Sequence, residues 1–176
     1  TASISLAVPT CNSSCSLSVT AIASPANVCL GQSVNLSAQA TGGSSLSYSW
    51  SGPGGYSAFG QSAVFTANDA GQAGVYSVMV TSGECQKVGQ TSVSIKSVQL
   101  SVSSNASQNA ICAGNTLSLS ASGGSSYAWS GPAGFNSAVA SPSIPNATTS
   151  MTGNYSVTGT GSNGCVASTM VYAEVK

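Results

Sequence analysis

The sequence predicts an all-β protein built from two tandem β-sandwich domains, with an extra strand at the amino end. Two observations carry this prediction. The 176-residue chain contains one long pattern written twice, with a period of roughly 80 residues, which suits one small domain. Apolar residues also alternate with Ser and Thr, which places every second side chain on one face of a half-buried strand.

The two copies of the pattern, here called repeat one and repeat two, match at several places. Cys29-Leu-Gly-Gln-Ser-Val-Asn-Leu-Ser-Ala corresponds to Cys112-Ala-Gly-Asn-Thr-Leu-Ser-Leu-Ser-Ala. Tyr-Ser-Trp-Ser-Gly-Pro-Gly-Gly-Tyr56 corresponds to Tyr-Ala-Trp-Ser-Gly-Pro-Ala-Gly-Phe135. A Gly-x-Tyr-Ser-Val segment and a later Gly-x-Cys or Asn-Gly-Cys segment complete the match. We therefore expect the same fold twice.

Strands are predicted wherever the alternation lies between Gly, Pro, Asn and Ser turn signals. In repeat one they lie near residues 16–22, 33–40, 46–51, 62–66, 74–81 and 87–96. In repeat two they lie near residues 98–104, 116–121, 126–130, 137–144, 153–159 and 166–175. Six short strands in about 80 residues predict a β-sandwich. The predicted domains are an amino-terminal strand extension (1–15), domain 1 (16–96) and domain 2 (97–176).

The amino-terminal segment Thr1–Val8 alternates like a strand, with Ala2, Ile4, Leu6 and Val8 on one face. Domain 1 already has a first strand, so this segment resembles the closing strand of a preceding repeat. It either folds back on domain 1, is the remnant of a neighbouring repeat, or pairs with the sheet edge of another copy by strand addition. Pairing from copy to copy would generate a fibre, because a head-to-tail contact does not close.

Composition removes several classes of function. Only 3% of the residues are charged, Lys+Arg number 3, Asp+Glu number 3, and His is absent. Nucleic-acid binding needs a basic surface, and acid–base catalysis most often uses histidine. We expect no nucleic-acid partner, no enzymatic activity and no cofactor. The sequence also lacks a run of apolar residues long enough to predict a membrane span.

Six cysteines follow the repeat, which indicates disulfides and hence an extracellular location. Equivalent positions in the two repeats suggest Cys29 with Cys85 and Cys112 with Cys165, which leaves Cys11 and Cys15 to close a small loop. Six cysteines allow 15 connectivities, so the sequence does not fix the pairing. A metal site is a poor alternative, because the chain has no CxxC pair and no histidine.

A family resemblance follows from the aromatic residues. A Trp on the third strand (Trp50, Trp129) and a Gly-x-Tyr before a later strand (Tyr76, Tyr155) resemble an immunoglobulin-like sandwich, in which the Trp fills the core and the Tyr forms a tyrosine corner. The longer pattern is similar to the Ig-like or PKD-like repeats of secreted Bacteroidetes surface proteins and adhesins. Antibody-type domains carry a Cys two residues after the corner Tyr, where this chain has Val78 and Val157. The resemblance therefore implies a bridge at one end of the sandwich.

Several residues are candidates for sites. We expect the repeated Trp and Tyr residues, including Tyr48 and Tyr127, to pack in the core rather than to stack on sugars. Tyr56 and Phe135 are expected either as exposed aromatics or as a plug where the domains join. Three acidic residues, Asp69, Glu84 and Glu174, are too few for a calcium site. Five Asn-x-Ser/Thr triplets mark candidate glycosylation sites at Asn12, Asn35, Asn105, Asn146 and Asn154.

These features favour a non-catalytic structural subunit of an extracellular filament or stalk on the cell surface. The subunit would assemble through strand donation by Thr1–Val8 and would serve adhesion or surface coating. Its expected partners are either copies of itself, joined head to tail, or neighbouring repeats, with surface glycans as a further candidate. The alternative is a carbohydrate- or protein-binding Ig-like module of a larger secreted protein.

Overall fold

The computed structural model describes residues 15–176, and these form short strands joined by turns and 3-10 turns. Repeat one contains eight strands, namely β1 (Ser18–Ser24), β2 (Asn27–Cys29), β3 (Ser33–Thr41), β4 (Ser47–Gly52), β5 (Tyr56–Phe59), β6 (Ser62–Thr66), β7 (Gly74–Ser82) and β8 (Cys85–Lys96). Repeat two contains seven, namely β9 (Ser101–Ser104), β10 (Leu117–Ser122), β11 (Ser126–Ser130), β12 (Asn136–Ser137), β13 (Ser143–Ile144), β14 (Gly153–Thr160) and β15 (Val166–Ala173).

The chain divides into two compact units that follow the repeats except at two loops. Unit 1 contains residues 15–26 together with Val34–Phe65 and Gly71–Val93. Unit 2 contains Ser94–Lys176 and also takes Asn27–Ser33 and Thr66–Ala70 from repeat one. The predicted boundaries at residues 15/16 and 96/97 stay predictions. The predicted strand Thr1–Val8, with Ala2, Ile4, Leu6 and Val8, lies outside the described residues.

Repeat one forms two sheets. One has the order β1-β3-β6, and the other has the order β2-β8-β7-β4-β5. The pairs β1–β3, β4–β5, β4–β7 and β7–β8 are antiparallel, whereas β2 runs parallel to the last three residues of β8. The stacked rings of Phe65 on β6 and Tyr76 on β7, with centroids 4.8 Å apart, join the two sheets face to face. This is the layering of a β-sandwich.

Repeat two forms the corresponding sheets with shorter edges. The orders are β13-β10-β9 and β12-β11-β14-β15. Trp129 lies opposite Val157 in the pairing of β11 with β14, as Trp50 lies opposite Val78 in the pairing of β4 with β7. The parallel β2–β8 pairing is reduced here to a single bridge between Ile111 and Val175. The repeat in sequence is thus a repeat in strand register.

The core follows from the period-two alternation. On β10 the residues Leu117, Leu119 and Ala121 are buried, while the serines between them are exposed. They pack in one cluster with Trp129 and Tyr155 from the facing sheet. In repeat one the buried apolar residues also alternate, as Val34, Leu36 and Ala38 on β3 and as Tyr76, Val78 and Val80 on β7. The all-β, immunoglobulin-like prediction is confirmed.

One predicted strand was wrong. Residues 137–144 form no continuous strand, since β12 and β13 are two residues each and belong to different sheets. The segment does run beside β10, because the carbonyls of Ala140 and Pro142 accept from the N–H groups of Ala121 and Leu119 at 2.8 and 3.0 Å. Pro142 has no N–H to return, so a regular ladder cannot form. The sequence reading also missed β2 and β5.

Candidate functional site

The most regular feature of the molecule is an aromatic corner present in both repeats. The hydroxyl of Tyr76 donates to the carbonyl of Gln72, and the hydroxyl of Tyr155 donates to the carbonyl of Met151, each at 2.8 Å. Both tyrosines are fully buried at the start of their strands. A buried Tyr that bonds back to backbone four residues upstream is the tyrosine corner of immunoglobulin-like domains.

The glycine of the Ser-Gly-Pro motif leaves space for the ring of the corner tyrosine. A Cβ at Gly52 would overlap the ring of Tyr76, and a Cβ at Gly131 would overlap the ring of Tyr155. The following prolines, Pro53 and Pro132, lie against the glycines of the Gly-x-Tyr segments, where a Cβ would come within 2.8 Å of the proline ring. Two motifs that are about 20 residues apart in sequence are therefore one packing unit.

The tryptophans are core residues, as predicted. Trp50 and Trp129 are 1% and 2% exposed. Each indole N–H is satisfied by a carbonyl ten residues later, at Gly60 (3.1 Å) and at Val139 (3.0 Å). A buried indole needs such an acceptor. Neither Trp is available to stack on a sugar. Tyr127 also packs partly buried against the core of repeat two, and Tyr48 is half-buried on β4.

Tyr56 and Phe135 occupy the same place in the two repeats. Each contacts the corner tyrosine of its own repeat edge to face, with centroids 5.3 Å apart for Tyr56–Tyr76 and 5.4 Å for Phe135–Tyr155. Tyr56 also lies 5.3 Å from Phe65. Both are half-buried, so they are not free surface aromatics, and the predicted plug where the domains join stays a prediction. They cover the side of the tyrosine corner.

Tyr56 differs from Phe135 by one hydroxyl, and that hydroxyl is buried without a hydrogen-bond partner. Burial also raises the pKa of Tyr56 above its usual value of about 10. The pKa values of Tyr76 and Tyr155 are raised by the same cause, with a smaller contribution from Tyr56 at Tyr76. The aromatic corner is therefore a cluster of neutral phenols in an apolar setting.

The disulfides differ from the predicted pairing. The structure joins Cys15 to Cys85 and Cys29 to Cys165, so Cys29–Cys85 and Cys112–Cys165 were wrong. The Cys15–Cys85 bond lies in unit 1 and the Cys29–Cys165 bond lies in unit 2. Cys15 therefore does not close a small loop with Cys11, which lies outside the described residues. Among residues 15–176, Cys112 is the one cysteine without a disulfide, and it is exposed.

Strand geometry explains why the predicted pairs cannot form. Cys29 lies opposite Lys96, the last residue of β8, whereas Cys85 is the first residue of that strand. A strand rises about 3.3 Å per residue, so the two cysteines are roughly 36 Å apart along β8. The Cα atoms of a disulfide lie roughly 4.4–6.8 Å apart. Cys112 and Cys165 are separated in the same way by the length of β15, because Cys165 precedes this strand and Ile111 bridges Val175, two residues beyond its end.

A shallow cavity of about 420 Å³ lies beside the Cys15–Cys85 bond. It is lined only by small residues, which are Ser16, Gly42, Gly43, Ser44 and Ser82 together with the two cysteines. Its serines already bond to the protein, since the hydroxyl of Ser82 donates to the carbonyl of Ser44 at 2.7 Å and that of Ser16 donates to the carbonyl of Gly42 at 3.0 Å. The cavity presents no charged group.

A stripe of exposed apolar residues on β15, here called the β15 stripe, escaped the sequence reading. It consists of Val166, Met170 and Tyr172, which are 60%, 61% and 50% exposed. The equivalent positions on β8 are Gln86, Gln90 and Ser92, as the pairings with β7 and β14 show. β15 is the last strand of its sheet, so the stripe borders an open edge. Phe59 on β5, 82% exposed, is a second surface aromatic.

The candidate glycosylation sites among the described residues, Asn35, Asn105, Asn146 and Asn154, are all exposed. The side chain of Asn105 is already engaged, because its amide donates to Thr116 at 3.0 Å and accepts from the N–H of Ser118 at 2.9 Å. Asn12 lies outside the described residues, and glycosylation at all five positions stays a prediction. Within residues 15–176 no group of three His, Cys, Asp or Glu side chains could hold a metal ion.

Solved structures of immunoglobulin-domain proteins align with most of the chain. The three N-terminal domains of the bacteriophage RB49 highly immunogenic outer capsid protein are 16% identical, with 90% of this chain and 59% of that chain covered and a TM-score of 0.43. The titin I-band fragment I67–I69 is 14% identical, with 85% and 62% covered and a TM-score of 0.43. The N-terminal four Ig domains of Dscam1 are 14% identical, with 90% and 46% covered and a TM-score of 0.39.

The chain thus spans less than two thirds of each of these three structures. No protein-family model and no curated protein matches the sequence. The assignment of an immunoglobulin-like fold rests on the two tyrosine corners and on the strand order of the sheets. None of the helices among residues 15–176 has the length and apolar character needed to cross a membrane.

Proposed function

We propose that this protein is a non-catalytic structural subunit of an extracellular filament or stalk on the cell surface, serving adhesion or surface coating. Two disulfides support the extracellular setting, because such bonds persist in oxidising compartments. A chain in which only 3% of the residues are charged suits close packing between subunits. We also propose that the two repeats are related to the PKD-like or Ig-like repeats of Bacteroidetes surface proteins.

The observation that carries the proposal is the open edge at β15. Natural sheets protect their edge strands with charges, especially Lys, or with Pro. β15 has eight residues, Val-Ala-Ser-Thr-Met-Val-Tyr-Ala, and none of these is charged or Pro. Its counterpart β8 carries Lys87 and Lys96 and a more polar outer face. An unprotected edge with an apolar stripe is a template for a further strand.

We propose Thr1–Val8 of another copy as that strand. Its residues alternate, so Ala2, Ile4, Leu6 and Val8 would form one apolar face, which could continue the β15 stripe across the added strand. Backbone hydrogen bonds would supply affinity, and the apolar face would supply register. The donor is at the amino end and the acceptor near the carboxyl end, so the contact is head to tail and propagates as a fibre.

Negative-stain microscopy of the purified chain tests this function. The full chain should form regular filaments, and a chain that lacks residues 1–8 should not. Met170→Lys should also abolish filaments, because a charge on the β15 stripe opposes strand addition. The matched control is Gln90→Lys at the equivalent position of β8, which should leave filaments intact.

Soluble monomers of the full chain under all conditions would refute the assembly step. Filaments that persist without residues 1–8 would refute the donor, and filaments that tolerate Met170→Lys but not Gln90→Lys would move the acceptor edge to β8.

A second candidate, a carbohydrate- or protein-binding module, is favoured by Phe59. This side chain is 82% exposed on β5 and therefore offers an aromatic face to solvent. Retention of the chain on a glycan array, lost in Phe59→Ser and kept in the chain that lacks residues 1–8, would support this candidate. No retention on any glycan would remove its carbohydrate form.

A further inference from the structure

The exposed thiol of Cys112 lies in a loop that has a bonded counterpart in the same molecule. In both repeats the glycine two residues after the cysteine has φ +86° and donates its N–H to an alanine carbonyl at 2.8 Å, as Gly31 to Ala67 and Gly114 to Ala147. The carbonyls of Cys29 and Cys112 each accept an N–H from three residues later at 3.1 Å. The two cysteines therefore have the same backbone setting.

Both loops also sit at the same end of their repeat. Leu30, after Cys29, donates to the carbonyl of Lys96, and Ala113, after Cys112, donates to the carbonyl of Lys176. In repeat one this is the point where the chain passes from β8 into repeat two. There Cys29 is bonded to Cys165 of the β14–β15 hairpin of repeat two. Cys112 holds the same place beside Lys176.

The hairpin cysteines give a second observation. The cysteine after the β7–β8 turn, Cys85, and the one after the β14–β15 turn, Cys165, are both in disulfides. Neither is bonded to the loop cysteine of its own repeat, which is Cys29 in repeat one and Cys112 in repeat two. The partner is Cys15, ahead of repeat one, or Cys29, in the repeat that precedes repeat two. In the one pair of consecutive repeats that the chain contains, the loop cysteine of the first, Cys29, is bonded to the hairpin cysteine of the second, Cys165.

We infer that Cys112 is a disulfide site for the hairpin cysteine of a further Ig-like repeat joined after Lys176. The Cys112 thiolate attacks a disulfide oxidant such as oxidised glutathione and releases one glutathione thiolate. The hairpin thiolate then attacks the Cys112 sulfur and releases the second. Two protein thiols lose two protons and two electrons, and one glutathione disulfide becomes two glutathione thiols. This inference does not depend on filament formation.

A three-repeat chain tests the inference. The full 176 residues are followed directly by a second copy of residues 97–176, so the new Lys176–Ser97 junction reproduces the native Lys96–Ser97 step. The added copy carries Gln108→Ala and Ser162→Ala at two exposed positions as mass tags. After oxidation in glutathione buffer, native protein is alkylated with iodoacetamide, and its chymotryptic peptides are identified without reduction.

The expected result is a bond between Cys112 of the original chain and the tagged Cys165 copy, while the tagged Cys112 copy is alkylated. That terminal copy serves as the internal control, since it has the same loop and no following repeat. Cys112→Ser in the original chain should leave the tagged hairpin thiol alkylated. Alkylation of the original Cys112 beside a protease-resistant third repeat would overturn the inference.

A second measurement needs no added repeat. In the 176-residue chain we expect native Cys112 to be alkylated by iodoacetamide, as its exposure indicates. A peptide that joins Cys112 to Cys11 of the same chain, or a Cys112–Cys112 dimer as the main oxidised product, would overturn the inference. The readout is the disulfide map and not the filament, so its failure is distinguishable from failure of the proposed function.

Discussion

Repeat one and repeat two place the same aromatic corner in the same register but complete it differently. Both bury a corner tyrosine against a Ser-Gly-Pro glycine, and both cover it with a ring from the next turn. That covering ring is Tyr56 in repeat one, with a buried unpaired hydroxyl, and Phe135 in repeat two, with none. The corner itself is the same in the two repeats, whereas the ring that covers it differs by one hydroxyl group.

The repeats differ more strongly at their surfaces and bridges. The hairpin of repeat one is bonded to Cys15, and that of repeat two is bonded to the loop of repeat one. The outer face of β8 is more polar, and that of β15 carries Val166, Met170 and Tyr172. The interior is therefore what the two repeats share, and the edges and cysteines distinguish them.

The disulfides should produce the largest difference on removal. Cys15→Ala with Cys85→Ala opens a bond with a sequence separation of 70, and Cys29→Ala with Cys165→Ala opens one with a separation of 136. Constraint of the unfolded chain predicts losses of about 4 and about 5 kcal/mol. Thermal unfolding followed by circular dichroism measures both. Double replacement avoids a free thiol that could react with Cys112.

The matched control for this comparison is Cys112→Ala, which should leave the melting temperature unchanged because this thiol is exposed and unbonded among the described residues. Reducing agent should lower the melting temperature of the unaltered chain. If the melting temperature stays unchanged in both double replacements, the two bonds do not stabilise the folded units.

The glycines of the Ser-Gly-Pro motif should give the next largest effect, and it should be equal in the two repeats. Gly52→Ala and Gly131→Ala each place a methyl group against a buried tyrosine ring. Overpacking of this kind costs about 2 kcal/mol. Chemical denaturation measures the loss. The controls Ser51→Ala and Ser130→Ala change the exposed residues just before these glycines and should stay within about 0.5 kcal/mol.

Unequal losses for Gly52→Ala and Gly131→Ala would mean that the two corners are not equivalent. A loss in repeat one alone would point to the crowding of Tyr76 by both Tyr56 and Phe65, since repeat two has an aliphatic residue, Ile144, packed against its core at the corresponding sheet.

The core strands and the tyrosine corners were predictable because short sequence patterns indicate both of them. Alternation located β3, β7, β10 and β14 within one or two residues, and Gly-x-Tyr predicted both corners. The segment 137–144 was predicted wrongly because its alternation was weighed above Pro142, whose missing N–H is itself a sequence signal against a regular strand.

The bridges were beyond a sequence reading that paired equivalent positions within a repeat. The distance between Cys29 and Cys85 depends on β2 running parallel to the far end of β8, and this three-residue pairing has no sequence signal of its own. The β15 stripe was missed for a related reason. Val166, Met170 and Tyr172 belong to an alternating strand, and alternation does not say which face is solvent-exposed when both faces carry apolar residues.

The smallest expected effect tests the cover of the corner directly. Tyr56→Phe removes a buried hydroxyl without a partner and makes repeat one resemble repeat two. An unsatisfied buried polar group is destabilising, so we expect a gain of about 1 kcal/mol in the free energy of unfolding. The reciprocal change, Phe135→Tyr, should cost a similar amount. Chemical denaturation at neutral pH measures both.

The Tyr56→Phe variant and the unaltered chain should also differ in how their stability changes at alkaline pH. Burial raises the pKa of Tyr56, so the folded state keeps its proton at a pH where the unfolded chain loses it. The stability linked to the protonated Tyr56 hydroxyl is fully present below the pKa of Tyr56 in the unfolded chain, about 10. It is lost as the pH rises through the higher pKa of Tyr56 in the folded protein. Tyr56→Phe should therefore show a shallower loss of stability above pH 10 than the unaltered chain. Tyr76 and Tyr155 remain in both proteins, so an identical alkaline slope would mean that the Tyr56 hydroxyl is not desolvated in the folded protein.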